Sequence, residues 1–111
     1  MPVHPIAEAP VRPDGFARLG EATRVGRLVA TPIRVVEDSR CPMNARCVWA
    51  GRAVVATRID GGGWRETINL ELGKPLATHG TTIALTSVQP EKMAGTAPPP
   101  QPYLFGFDGG R

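Results

Sequence analysis

The feature that most constrains this fold is a pair of cysteines six positions apart, Cys41 and Cys47, between segments rich in β-branched residues. Structural zinc sites usually combine cysteines two to four residues apart with a nearby pair of histidines, whereas the two histidines here are isolated and distant. Dithiol redox motifs space their cysteines by two residues at a helix start, which this chain does not do. The spacing therefore predicts a disulfide-closed loop between two strands, with redox chemistry and metal ligation as weaker alternatives.

The residues around the two cysteines are predicted to have structural roles. Pro42 fixes one backbone angle inside the ring, and Gly51 permits a positive φ or a close approach where the next strand begins. Asp38 and Ser39 can each accept a hydrogen bond from a backbone N–H two residues on, which would hold the entry to the loop. We expect the flat indole of Trp49 to cover the disulfide. Closing the ring should stabilise the fold by about 2 kcal/mol in the chain-entropy model.

The composition favours short strands joined by many turns. Twelve prolines and thirteen glycines occur in 111 residues, a length that suits one domain. Pro32 cannot donate to a central ladder, so an edge or a bulge is expected there. The last strand should align Tyr103, Phe105 and Phe107 on one face. We predict an all-β antiparallel sandwich or partly open barrel of about six to seven strands with one disulfide.

The clearest local pattern is a hairpin around three consecutive glycines. Two alternating segments flank these glycines, and a two-residue turn at Gly61-Gly62 would pair Ile59 with Trp64 on the apolar face. A shift by one residue would set apolar side chains against polar ones, so the pattern favours this register. Its cost is that Arg58 would lie opposite Arg65.

The proline-rich ends suggest how the domain is bounded. Residues 1–14 contain four prolines and no periodicity, which predicts an extended tether. Residues 15–108 form the predicted β domain, in which Phe16 is expected in the core, and residues 109–111 form a tail. The second proline-rich stretch, 90–102, is predicted to be an exposed loop.

Charge suggests a binding face rather than a nucleic-acid interface. The net charge is +3, and the arginines are spread along the chain instead of clustering with aromatics, so we do not expect nucleic-acid binding. In the predicted register Arg34, Arg52, Arg58 and Arg65 share the outer face of neighbouring strands. Such a face could bind an acidic protein or an anionic ligand such as a glycan, and the alternative is a solvated surface.

No catalytic constellation stands out. Glu37 and Asp38 are adjacent, so on a strand they point to opposite faces, and either solvation or pairing with Arg40 is the simpler role for these carboxylates. Ser39 has no nucleophile elbow around it, and His79 before a glycine is most simply a turn residue. We predict no catalytic residues, no metal and no cofactor, and whether the chain is an enzyme stays open, with binding favoured.

Cysteine usage and the first residues bear on the compartment. A disulfide implies an oxidising environment, yet the first five residues lack the basic and apolar regions of a signal peptide. Either a leader has been removed, or the protein is cytosolic with reduced thiols, and we favour the first. No run approaches the ~20 apolar residues of a membrane span.

Around the cysteines the chain reads Asp38-Ser39-Arg40-Cys41-Pro42 and then Cys47-Val48-Trp49-Ala50-Gly51. This pattern resembles the signature of a family of small uncharacterised bacterial exported proteins, often lipoproteins. The later Leu85-Thr86-Ser87-Val88-Gln89-Pro90 and the Tyr-initiated last strand are similar too. The resemblance implies a periplasmic or extracellular β domain, with a possible lipid anchor in the full-length precursor, and carries no assigned activity.

These observations predict a non-enzymatic periplasmic or cell-surface β module that binds an unidentified protein or anionic ligand. One alternative is a small hydrolase or thiol-redox protein. Another is a purely structural accessory of the cell envelope.

Overall fold

Two four-stranded antiparallel sheets pack face to face in this computed structural model, which describes residues 10–91 and 102–111. The strand order is β1-β8-β7-β6 in one sheet and β2-β3-β4-β5 in the other. The predicted all-β sandwich with one disulfide is confirmed, with eight strands in the described residues. No helix among those residues is long and apolar enough to cross a bilayer. The strands are β1 (Phe16–Ala17), β2 (Thr23–Val25), β3 (Leu28–Asp38), β4 (Ala53–Gly61), β5 (Trp64–Glu71), β6 (Leu76–Thr78), β7 (Thr81–Gln89) and β8 (Leu104–Gly109).

The core lies between the two sheets, because side chains alternate along each strand and one face of each sheet is apolar. The predicted alignment in the last strand is correct: Phe105 and Phe107 are buried, and Tyr103 stacks on Phe105 with ring centroids 5.5 Å apart. The buried apolar side chains of the core are Ala17, Val25, Leu28, Ala30, Ala53, Val55, Ile59, Leu70, Ile83, Leu85, Val88, Phe105 and Phe107.

The strand β3 carries the predicted irregularity at Pro32. Its pairing with β4 shifts register just after Pro32 and again after Val35, so the predicted bulge is confirmed. The shifts leave Ile33 and Val36 outside the regular pairing and exposed. β2 pairs with residues 28–30 of β3, and no described strand pairs with the same edge of β3 beyond Pro32. The two register shifts kink β3 there, and such kinks discourage pairing with another chain.

The β4–β5 hairpin is confirmed, but its predicted register is wrong by two residues. The turn residues are Gly62-Gly63, and Gly61 pairs with Trp64. A shift of two keeps every side chain on its predicted face, since faces alternate with period two. The observed register replaces two opposed arginines with the ion pair of Asp60 and Arg65, and the Trp64 ring lies where a Cβ on Gly61 would collide.

Phe16 is not in the core, contrary to the prediction. It pairs with Gly106, and its ring occupies the space that a side chain at Gly106 would need, while the neighbouring Ala17 is fully buried. A two-residue strand can direct only one side chain inward, and here the small alanine faces the core.

Both ends of the described chain are held by the sandwich. Arg12 forms a parallel bridge to Thr23, so residues 10–14 lie against β2. The predicted tail of residues 109–111 packs too: the Gly110 amide donates to the Thr82 carbonyl at 2.8 Å. Residues 1–9 of the predicted tether and 92–101 of the predicted loop lie outside the described residues.

The two turn glycines of the hairpin differ in backbone conformation. At both positions a Cβ atom would have no neighbour within 4 Å, but only Gly63 has a left-handed φ, of 82°. We therefore expect Gly63→Ala to lower the free energy of unfolding by about 1 kcal/mol, because alanine is strained in that region. The matched Gly62→Ala should change it little. Urea denaturation of both variants measures this, and equal effects would contradict the turn at Gly62-Gly63.

Candidate functional site

The loop between β3 and β4 is closed by the predicted disulfide. Cys41 and Cys47 are bonded with their Cα atoms 5.9 Å apart. Below the ring the strands remain paired, since the Ser39 amide donates to the Arg52 carbonyl at 2.8 Å. Gly51 has a φ of 71°, and a Cβ there would strike the Ser39 carbonyl, so the predicted need for glycine is confirmed. The loop is thus covalently closed at its tip and hydrogen-bonded at its base.

A charged network fastens the base of this loop to the other sheet. Arg40 donates from Nε to Oδ1 of Asp38 at 2.7 Å and from Nη2 to Oδ2 at 2.9 Å, as the sequence suggested. Tyr103 donates its hydroxyl to Oδ2 of the same carboxylate at 2.9 Å. Arg40 also donates to the carbonyls of Val88 and Pro90, at 2.7 and 3.1 Å. The end of β3 is therefore tied to the end of β7 and the start of β8.

Burial makes this network energetically important. The side chains of Arg40 and Asp38 are only 12% and 10% exposed. Burial, and then the hydrogen bond to Asp38, raise the pKa of Tyr103, because the phenolate would be desolvated beside a carboxylate. The hydrogen bonds to Asp38 likewise raise the pKa of Arg40. Sequence reasoning missed Tyr103, although a half-buried tyrosine hydroxyl generally needs a partner.

A second, exposed cluster lies on the other side of the loop base. The Ser39 hydroxyl donates to Glu37 at 2.7 Å, and the Arg52 backbone amide donates to the Ser39 hydroxyl at 3.1 Å. This corrects the prediction that Ser39 would accept from an amide two residues on, because the antiparallel ladder brings Arg52 closer. The Ser39 hydroxyl, followed by Arg52, lowers the pKa of Glu37.

The tip of the loop is apolar and uncovered. We name the side chains of Met43, Val48 and Trp49 the loop tip; they are 67%, 92% and 82% exposed. The prediction that Trp49 covers the disulfide is wrong. The last ladder bond joins Cys41 to Ala50, and the seven-residue ring beyond it offers too little apolar surface to bury an indole.

The four arginines of the predicted binding face fall into different environments. Arg52 pairs with Glu37 at the loop base, 3.0 Å from Nε to Oε1. Arg58 and Arg65 share one carboxylate near the β4–β5 turn. Arg34 is exposed, and no described residue forms an ion pair with it. Pairing with acids thus separates Arg52, at the loop base, from Arg58 and Arg65, near the turn, while Arg34 belongs to neither group.

Among the described residues, no three or more His, Cys, Asp or Glu side chains are grouped so that they could hold a metal ion. His79 is a turn residue, as predicted, with a φ of 47°, and it stacks on Trp64 with ring centroids 3.8 Å apart. No family model matches the chain, and no significant match was found among curated proteins or solved structures.

The two acidic residues at the loop base provide a matched test of the buried network. Asp38→Asn should lower the free energy of unfolding by roughly 3 kcal/mol, because it leaves the Arg40 guanidinium largely buried without its counter-charge. Glu37→Gln breaks an exposed pair and should cost much less. Urea denaturation of both variants measures the difference. Similar losses would show that the Asp38 network does not brace the loop.

The chain has a single tyrosine, so its ionisation can be followed directly. Because the pKa of Tyr103 is raised in the folded state, its stabilising contribution is fully present below about pH 10 and is lost as the pH rises through the folded-state pKa. Phenolate absorbance should titrate above the midpoint seen in urea, and Asp38→Asn should reduce the gap. Identical midpoints in folded and unfolded protein would contradict the hydrogen bond.

Proposed function

We propose that this chain is a non-enzymatic binding module of the periplasm or cell surface that engages a protein partner through the loop tip. The observation that carries the proposal is Trp49, 82% exposed on a loop that is covalently closed and braced from below. Several exposed apolar side chains in one loop, with a tryptophan among them, are typical of a protein–protein contact site.

Burial of this tryptophan by a partner would supply a large part of a binding free energy. A tryptophan buries 150–250 Å², so covering Trp49 is worth roughly 4–6 kcal/mol at about 25 cal/mol per Å². Val48 and Met43 add exposed apolar surface in the same loop. Tryptophan and arginine dominate the energetics of protein interfaces, and the exposed Arg46 lies in the same loop. The positive charge of Arg46 favours a partner with an acidic rim around an apolar pocket.

Rigidity of the loop favours binding as well. An association loses free energy when flexible loops become ordered, so a preformed loop binds more tightly for the same contacts. The disulfide limits the conformations of residues 41–47, and the Asp38–Arg40 pair fixes the base from which they project. These features support recognition by a preformed surface with little rearrangement.

The disulfide also supports the proposed compartment. Disulfides persist in oxidising surroundings such as the periplasm or the extracellular space. The Cys41–Cys47 pairing supports that location, in agreement with the resemblance of the loop sequence to exported proteins.

Trp49→Ala tests the proposal. Covalent cross-linking in envelope preparations, quantified by mass spectrometry, should identify a protein whose capture falls at least tenfold with Trp49→Ala, corresponding to a loss of 1.4 kcal/mol or more. Leu19→Ala is the matched control, since Leu19 is an exposed apolar residue outside the loop and should leave capture unchanged. The stability of both variants should be that of the wild type, because neither side chain is in the core.

Fluorescence then checks the contact itself. In a Trp64→Phe background Trp49 is the only tryptophan, and its emission should shift to the blue when the purified partner is added. A captured protein that binds the Trp49→Ala variant equally well, or leaves this emission unchanged, would overturn the proposal.

A further inference from the structure

A cavity of about 360 Å³ opens on the outer face of the second sheet, near the β4–β5 turn and away from the loop tip. Its floor comes from neighbouring positions of the paired strands, since Thr31 lies opposite Arg58 and Val29 opposite Asp60. Its volume falls at the lower end of the range for small-molecule sites.

The segment before β2 forms the apolar wall of this cavity. Val11 and Ala22 line it and are held in place by a hydrogen bond from the Arg12 amide to the Ala22 carbonyl, 2.8 Å long. The Gly20 amide donates to the Pro32 carbonyl at 2.8 Å, which fastens the same segment to β3. The wall is therefore part of the fold.

The polar side of the cavity has an excess of positive charge. Arg58 and Arg65 both direct Nε to the Asp60 carboxylate, the first at 3.4 Å, so two cations share one anion. The terminal nitrogens of both guanidinium groups have no partner among the described residues. Arg24, opposite Val29 on the same face, adds a further positive charge near the rim.

Thr31 adds an observation independent of the charges. It is only 4% exposed and lines the cavity, and its hydroxyl is buried without a hydrogen-bond partner in the part of the chain that the structure describes. An unpaired buried hydroxyl is destabilising, and most such groups in folded proteins find a partner. The fold covers this oxygen almost completely, so rotation of the Thr31 side chain about χ1 would turn the hydroxyl toward a polar ligand atom in the cavity.

We propose that this cavity binds a small amphiphilic carboxylate. Its head group would accept hydrogen bonds from the free terminal N–H groups of Arg58 and Arg65 and from the Thr31 hydroxyl. Guanidinium groups match a carboxylate in planar geometry and charge. The apolar part of the ligand would lie against Val11, Ala22 and Val29. This site is separate from the loop tip, and a ligand here does not depend on the loop's having a protein partner.

Titration of the isotopically labelled protein with sodium hexanoate, followed by NMR at constant ionic strength, tests the site. Acetate supplies the head group alone and hexanol the apolar part alone. Hexanoate should bind saturably and at least tenfold more tightly than either, with shifts centred on Thr31, Arg58 and Arg65. Absence of saturable binding, or acetate binding as tightly as hexanoate, would overturn the proposal.

Variants separate the site from general electrostatic attraction. Arg65→Gln and Thr31→Val should each weaken hexanoate binding at least threefold, whereas Arg52→Gln, on the same sheet at the loop base, should not change it. Thr31→Val should also keep or raise the melting temperature, because it removes an unpaired hydroxyl without changing the side-chain shape. Unchanged affinity in both cavity variants would overturn the proposal. Trp49→Ala should bind hexanoate normally, so a failure of the loop-tip function would be distinguishable.

Discussion

The ion pair between Asp38 and Arg40 joins the two sheets at the base of the disulfide loop. One sheet supplies both charges at the end of β3, and the other sheet supplies the Tyr103 hydroxyl and the Val88 carbonyl that complete the network. Because the pair is largely buried, its Coulomb attraction is weakly screened, but each group depends on its partners to offset desolvation. The network therefore fixes the relative position of the sheets where the disulfide loop leaves the sandwich.

The two ends of β4 lie at two different surfaces. Before its start, the loop exposes apolar side chains to solvent on and next to a covalently closed ring, an arrangement suited to macromolecular contact. Near its end, Arg58 and Asp60 face a cavity walled by the segment before β2, an arrangement suited to a small molecule. The nine-residue strand is central in its sheet, so both surfaces are supported by one rigid element.

Several features could be predicted because they depend on neighbouring residues. The spacing of Cys41 and Cys47 permits a bond across a short ring, and Pro32 cannot continue a regular ladder, so the disulfide and the bulge followed from the sequence. The faces of the hairpin were predicted correctly while its register was not. A two-residue shift leaves the apolar pattern unchanged, and the choice was made by an ion pair and by the packing of Trp64 on Gly61.

The sequence by itself determined which faces of the hairpin strands are apolar, that the chain reverses within the three consecutive glycines and which cysteines join, since these depend on strand alternation, glycine conformation and ring size. Only the tertiary structure decided that Trp49 is exposed, that Tyr103 completes the Asp38 network and that Val11 and Thr31 line the same cavity. These outcomes join residues 20 to 65 positions apart along the chain. Such contacts arise from the packing of whole strands and sheets, which a local pattern of residues does not encode.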